Sequence, residues 1–124
     1  MNVVDSSGWM EFLIGGPNAK IFAKPIEEIH TLIVPSIIIL EVFKKILEKN
    51  NEKTALDIIG HMFQGRSVDL NAELAMSAAK LGRELKLPLA DSIILATARL
   101  HHAILWTQDN DFKGIEGVRY FPKQ

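Results

Sequence analysis

Two kinds of apolar run alternate along this chain. Short runs rich in β-branched and aliphatic residues occur at Val3-Val4, Thr31-Leu32-Ile33-Val34, Ala103-Ile104-Leu105-Trp106-Thr107 and Val118-Arg119-Tyr120-Phe121. A weaker one lies at Ser67-Val68-Asp69-Leu70. Runs this short, bounded by polar residues, read as strands. Between them, apolar positions recur at helical spacing over 7–14, 18–28, 36–49, 52–64, 71–86 and 89–101. Strands that alternate with helices predict an α/β fold with a mainly parallel central sheet.

Punctuation in the chain supports these elements. Ser36, after Pro35, is the expected N-cap of the third helix, and Asn71 that of the fifth. Gly65 is placed to end the fourth helix. Lys86-Leu87-Pro88 breaks the chain before the last long helix, because proline disfavours helical geometry in the residue before it. Gly15-Gly16-Pro17 reads as a turn. No internal repeat or low-complexity linker interrupts the pattern.

Length and composition narrow the class. With 124 residues the chain is expected to form a single domain over 1–124. At 48% hydrophobic and 23% charged it can bury a core, which excludes general disorder. The absence of cysteine removes disulfides, thiolate chemistry and cysteine zinc sites, and fits a reducing cytoplasm. The first residues enter a core-like segment at once, without the basic start and apolar core of a signal peptide. The longest apolar stretch, Ile37 to Leu40 with Val42 and Phe43, is too short to span a bilayer. A net charge of −1 argues against an evenly basic nucleic-acid binder. Setting five of the fifteen acids aside leaves ten against fourteen lysines and arginines, a remainder of +4, which is compatible with a polyanionic substrate.

Those five acids carry the candidate chemistry. Asp5 follows the first strand, and Asp109 and Asp111 follow the strand that ends at Thr107. Open α/β sheets form their ligand sites at the carboxyl ends of the strands, so Asp5 and Asp109 belong to one edge. Asp91 opens the last helix. Each of these residues has an ordinary explanation as a helix cap, a dipole partner or an Asx turn. Glu41 lacks one: from Ile37 to Phe43 every other residue is apolar, so the helix start is expected to be buried all round and its carboxylate to need a partner. Lys44 and Lys45 are free to reach solvent. A divalent cation would let several such acids stay ionised together. Mg²⁺ or Mn²⁺ would also activate a water and steady charge on a phosphate, with no histidine required.

Val4-Asp5-Ser6-Ser7, Val34-Pro35-Ser36 with Glu41 beyond it, Leu89-Ala90-Asp91-Ser92-Ile93-Ile94-Leu95-Ala96-Thr97-Ala98, and Thr107-Gln108-Asp109-Asn110-Asp111-Phe112 resemble, in order, the four acidic motifs of PIN domains. The compact length is similar to that of the VapC-type toxins. The resemblance implies an α/β/α sandwich with a central parallel sheet, Mg²⁺ or Mn²⁺ held by the acids, and endonucleolytic cleavage of RNA. By it, Asp5, Glu41, Asp91 and Asp109 are the catalytic metal ligands and Asp111 is auxiliary. Ser6 and Thr107 are the hydroxyls that support them. It further implies a homodimer neutralised by an antitoxin protein. Lys20, Lys24, Arg83, Lys86, Arg99 and Lys113 are the basic residues considered for RNA phosphates. Other readings of the same acids are a PIN nuclease of RNA processing, an inactive binding module of the same fold, and a phosphatase acting on small phosphates.

Other features carry less. His101 and His102 are adjacent on a helix end, pointing about 100° apart, and do not chelate there. His30 and His61 are expected to be structural. Trp9, Phe12 and Phe43 are expected in the core or an interface. Gly15-Gly16-Pro17-Asn18 lacks the Gly-Lys-Ser/Thr ending of a phosphate loop.

Overall fold

The computed structural model describes residues 1–124. In chain order the elements are β1 (Asn2–Val4), α1 (Ser6–Ile14), α2 (Ala19–Glu27), β2 (Leu32–Pro35), α3 (Ser36–Lys49), α4 (Glu52–Met62), β3 (Arg66–Val68), α5 (Ala72–Leu85), α6 (Leu89–Leu100), β4 (Ile104–Thr107) and β5 (Val118–Tyr120). Short 3-10 turns at Ile29–Thr31 and Asn110–Phe112 precede β2 and follow β4. The five strands form one sheet in the order β3-β2-β1-β4-β5, every pair parallel. Val3 and Val4 on β1, all four residues of β2, and Leu105 to Thr107 on β4 are buried. A parallel sheet is covered on both faces, which is why its inner strands read as continuous apolar runs rather than as alternation. The edge strands β3 and β5 instead carry the exposed Arg66, Ser67 and Arg119.

Right-handed crossovers send the connections out on one face while the strand order runs from β1 to β3, and on the other face for the return from β3 to β4. Residues of α1, α2 and the α4 end line a common groove, and α5 lies against α6. Helix α3 touches both α1 and α6. The result is a three-layer α/β/α sandwich with a largely continuous core. The strand order turns back between β1 and β4, and this switch point is where open α/β sheets leave a crevice at their carboxyl edge.

The local signals divide into those the backbone uses and those it does not. Asn71 caps α5 by accepting from the Leu74 N–H at 2.8 Å. Asn51 does the same for α4 through Thr54. Gly15 ends α1 in the left-handed region at φ 68°. Ser36 is not a cap: Pro35 holds the N-cap position and no side-chain cap bond forms, so Ser36 is already the first helical residue. Gly65 does not end α4, which closes at Met62 with Phe63 in right-handed helical geometry. A Cβ on Gly65 would lie 3.0 Å from the Leu32 carbonyl oxygen, so its small size serves an approach to β2. Helix α5 ends on Lys86 at φ 56°, before Pro88 acts. His30 and His61 are exposed rather than structural.

Gly8 shows how tightly α1 sits on the sheet. A Cβ there would come 2.6 Å from the Phe22 ring and 2.7 Å from Val4, while one on Gly60 of α4 would meet nothing within 4 Å. Overpacking costs about 1–3 kcal/mol, against about 1 kcal/mol gained when alanine replaces glycine inside a helix. Gly8→Ala is therefore expected to lower the urea midpoint and Gly60→Ala to raise it. Equal shifts in the same direction would show that α1 has room to move away from β1.

Candidate active site

Chain geometry brings the acids to one edge. The ladder between β1 and β4 continues past Val4, where the Asp5 N–H donates to the Trp106 carbonyl at 2.9 Å. Asp5 is thereby fixed one residue beyond β1 and beside Thr107. Asp109 follows two residues beyond β4, Asp91 sits in the first turn of α6, and Glu41 projects from the second turn of α3. Asp5, Glu41, Asp91 and Asp109 all line a single cleft of about 470 Å³, together with Ser6, Ser7, Lys45, Gln108, Asn110, Tyr120 and Lys123. Carboxylate oxygens of Asp91, Asp109 and Asp111 lie within 4.8 Å of one another. Asp111, expected to be auxiliary, belongs to this tightest trio. A wider cleft, of about 610 Å³ along α5 and α6, is mainly apolar and is lined by no acid.

Asp5 occupies the N-cap position of α1 but makes no capping bond. Its Oδ2 instead accepts from the Thr107 hydroxyl at 2.8 Å and from the Ser7 hydroxyl at 2.9 Å. Thr107 also accepts from the Asp109 N–H at 2.9 Å, so one buried hydroxyl ties two of the acids together. Asp109 in turn accepts from the Asp111 N–H at 2.9 Å, closing the 3-10 turn. Ser7 rather than Ser6 takes the bond to Asp5, while Ser6 lines the cleft. The Ser6 hydroxyl opposes the rise in the Glu41 pKa, although no hydrogen bond of ordinary geometry joins the two.

The burial expected all round the start of α3 is not observed: Leu40 is 57% exposed. Glu41 is half-buried, yet its Oε1 is enclosed and has no hydrogen-bond partner. A second orphan, His101 Nε2, lies at the far end of α6 and lines none of the described clefts. None of Lys20, Lys24, Arg83, Lys86, Arg99 and Lys113 lines the acidic cleft; the basic residues there are Lys45 and Lys123. Their sequence signals were weak: Lys45 is one helical turn from Glu41, and Lys123 lies beyond the last strand.

Asp5, Glu41 and Asp91 pay electrostatically for their positions. Burial raises the pKa of Asp5, with the Asp109 charge adding to it and the Thr107 and Ser7 bonds working against it. Burial also raises that of Glu41, followed by the Asp5 charge, with Lys45 opposing. Asp91 is pushed up to about 8 by burial first, then by the charges of Asp109 and Asp5. Such a cluster either takes up protons or is neutralised by a cation. All its ligand atoms are carboxylate oxygens, and Glu41 Oε1 stands enclosed without a donor. That donor set fits a hard divalent cation.

A pH signature follows. The folded pKa of Asp91 lies above the unfolded value of 3.8, so the folded state binds the proton more tightly. Stability from this group is present below about pH 4 and is lost as the pH rises towards 8. In metal-free protein, Asp91→Asn is expected to raise the Tm by more at pH 8 than at pH 5. A Tm difference that is independent of pH, read by calorimetry, would show that Asp91 ionises without penalty.

Comparison with solved structures finds the same architecture. A toxin-antitoxin complex from Klebsiella pneumoniae contains a chain similar to this one, with a TM-score of 0.83 and 25% identity, covering 98% of this chain and 99% of that one. VapBC from Salmonella typhimurium, solved bound to DNA, matches with a TM-score of 0.74 and 14% identity over 98% of each chain. The sarcin-ricin loop cleaving toxin VapC20 of Mycobacterium tuberculosis matches with a TM-score of 0.69 and 13% identity over 91% of this chain and 92% of that one. A search of curated proteins by sequence finds no match. No helix is long and apolar enough to cross a membrane. The family model of the PIN domain matches residues 3–118, nearly the whole length, and the chain belongs to the PIN domain family.

Proposed function

We propose that this protein is a Mg²⁺- or Mn²⁺-dependent endoribonuclease and acts as the toxin of a toxin–antitoxin pair. The observation that carries the reading is the convergence of Asp5, Glu41, Asp91 and Asp109, with Asp111 beside them, at the carboxyl edge of a PIN-family sheet. When bound, the ion supplies a water of lowered pKa and offsets charge at the scissile phosphate. The chain's own residues prepare the place for it. Asp91, Asp109 and Asp111 offer three oxygens at close range, and Asp5 and Glu41 complete the set from the β1 edge and α3. Thr107 and Ser7 hold Asp5 in one orientation, a role that typically sets metal affinity. The cleft remains open to a polymer strand, since Asp109 is half-buried and Asn110 exposed at its rim.

The partners in this reading are an RNA substrate, an antitoxin protein and a second copy of the chain. The similarity to the Klebsiella toxin-antitoxin chain supports the antitoxin. Exposed Leu40 and Leu47 on α3, with Leu89 at 82% exposure at the start of α6, offer apolar surface to a partner. Trp9 of the first helix lies in the core, one of the two places expected for it.

Purified protein is expected to cut single-stranded RNA with Mg²⁺ or Mn²⁺ and to stop when EDTA is added. Asp5→Asn should abolish cleavage while circular dichroism shows an intact fold. Thr107→Val should weaken metal binding by about 10–100-fold while leaving the ligands in place. Undiminished cleavage by Asp5→Asn would remove that residue from the metal site. Expression in a bacterial host should arrest growth, with rescue by the neighbouring open reading frame. Normal growth alongside RNA cleavage in vitro would overturn the toxin half alone.

A further inference from the structure

Beside the acidic cleft lies a smaller one of about 190 Å³, and the two share Ser7, Lys45, Gln108 and Lys123. The two clefts are therefore contiguous, and the lysines stand on their common border. Lys45 arrives there because α3 puts residues four apart on one face, so the helix that delivers Glu41 delivers a lysine one turn on. Its charge acts on Glu41, but it makes no hydrogen bond to the enclosed Oε1.

Lys123 arrives by a different route. The segment after β5 is tied to the fold at three points. The Phe121 N–H donates to the Thr107 carbonyl at 2.9 Å. The Phe121 ring stacks on Trp106 with centroids 5.8 Å apart and meets Phe22 edge-on. The Pro122 carbonyl accepts from Asn18 Nδ2 at 3.1 Å, and the same Asn18 amide also donates to Gln108 at 2.9 Å. Lys123 is the next residue. The one acid of the smaller cleft, Glu11, is buried, and its Oε2 accepts from the Asn18 N–H at 2.8 Å, so it is engaged within the fold. The charge left at the border of the two clefts is positive.

We propose that Lys45 and Lys123 form a phosphate subsite that holds the RNA backbone at the linkage next to the one being cut. The inference rests on the nuclease reading of the acidic cleft. It answers a need that reading creates: a groove of carboxylates repels a polyanion, and cations at its border must hold the strand in register. Both lysines are exposed, so their removal leaves the core unchanged.

The test is the salt dependence of binding for a short labelled single-stranded RNA, read by fluorescence anisotropy on the full chain with Ca²⁺ present in place of Mg²⁺. Each phosphate neutralised on a single strand contributes about 0.7 to the slope of log affinity against log salt. Lys45→Ala and Lys123→Ala should each reduce the slope by about 0.7, and the double variant by about 1.4. Lys45→Arg should restore it, and Lys80→Ala, which lines neither cleft, should leave it unchanged. Mn²⁺ affinity of the lysine variants, read by calorimetry, should be undiminished. An unaltered slope in both variants, a loss of Mn²⁺ binding, or no RNA binding by the wild type would overturn the subsite. Lysine-dependent binding without cleavage in Mg²⁺ would uphold the subsite and sink the nuclease reading, whereas cleavage with an unaltered slope would do the reverse.

Discussion

Burial of the Asp5, Glu41 and Asp91 carboxyls close to one another and to Asp109 is the constraint around which the carboxyl edge of this sheet is arranged, and Asp5 and Asp91 are held there by the fold. Asp5 is tied to β4 by a backbone bond, and Val3, Val4 and Leu105 behind it are fully buried. Asp91 is itself buried in the first turn of a helix whose following residues, Ile94 and Leu95, are part of the core. A close-packed interior does not stretch to relieve a local strain, so the charges must be answered where they stand. Neutral donors answer part of this: the hydroxyls of Thr107 and Ser7 on Asp5, and the backbone N–H groups on Thr107 and Asp109. They leave Asp91 and Glu41 Oε1 without a hydrogen-bond donor, a deficit that a bound cation would remove.

The polar groups around the acids are connected to the rest of the fold rather than isolated at the surface. Gln108, buried between Thr107 and Asp109, accepts from Asn18, and its backbone N–H donates to the Ser7 hydroxyl at 3.2 Å. Asn18 reaches both Gln108 and the segment after β5. The turn between α1 and α2, the end of β4 and the C-terminal residues thus form one network of satisfied bonds. Such a network holds a site rigid, as ligation of a cation would require. It also means that a stability cost is concentrated where function needs it, the usual bargain at an active site.

Much of this architecture is legible in the sequence because burial on both faces turns β1, β2 and β4 into apolar runs. The bounds of α3, 36–49, coincide with the sequence expectation, since Pro35 and the polar Lys49-Asn50-Asn51 mark both ends. The four acids are legible for a related reason: a carboxylate that follows a strand, or interrupts an apolar helix start, stands out against its neighbours. What is not legible depends on phase and on tertiary return. Adjacent Ser6 and Ser7 differ only in the helical angle at which α1 begins, and that angle gives Ser7 the bond to Asp5. Lys45 looks like one of a solvated pair with Lys44 until α3 is docked. Lys123 gains a place only when Phe121 seats against Trp106. The apolar run around Glu41 predicts burial all round its helix, whereas its isolation comes from one enclosed oxygen beside an exposed Leu40.

The central claim is that these carboxylates exist to hold a divalent cation. Anomalous diffraction from crystals of the protein soaked in Mn²⁺ tests it most directly, because the signal identifies the ion and its place together. A peak is expected among Asp5, Asp91 and Asp109, in direct contact with their oxygens, since hard cations take carboxylate ligands. Crystals that show Mn²⁺ only at other surface acids, with the cleft filled by water and the carboxylates unmoved, would contradict it.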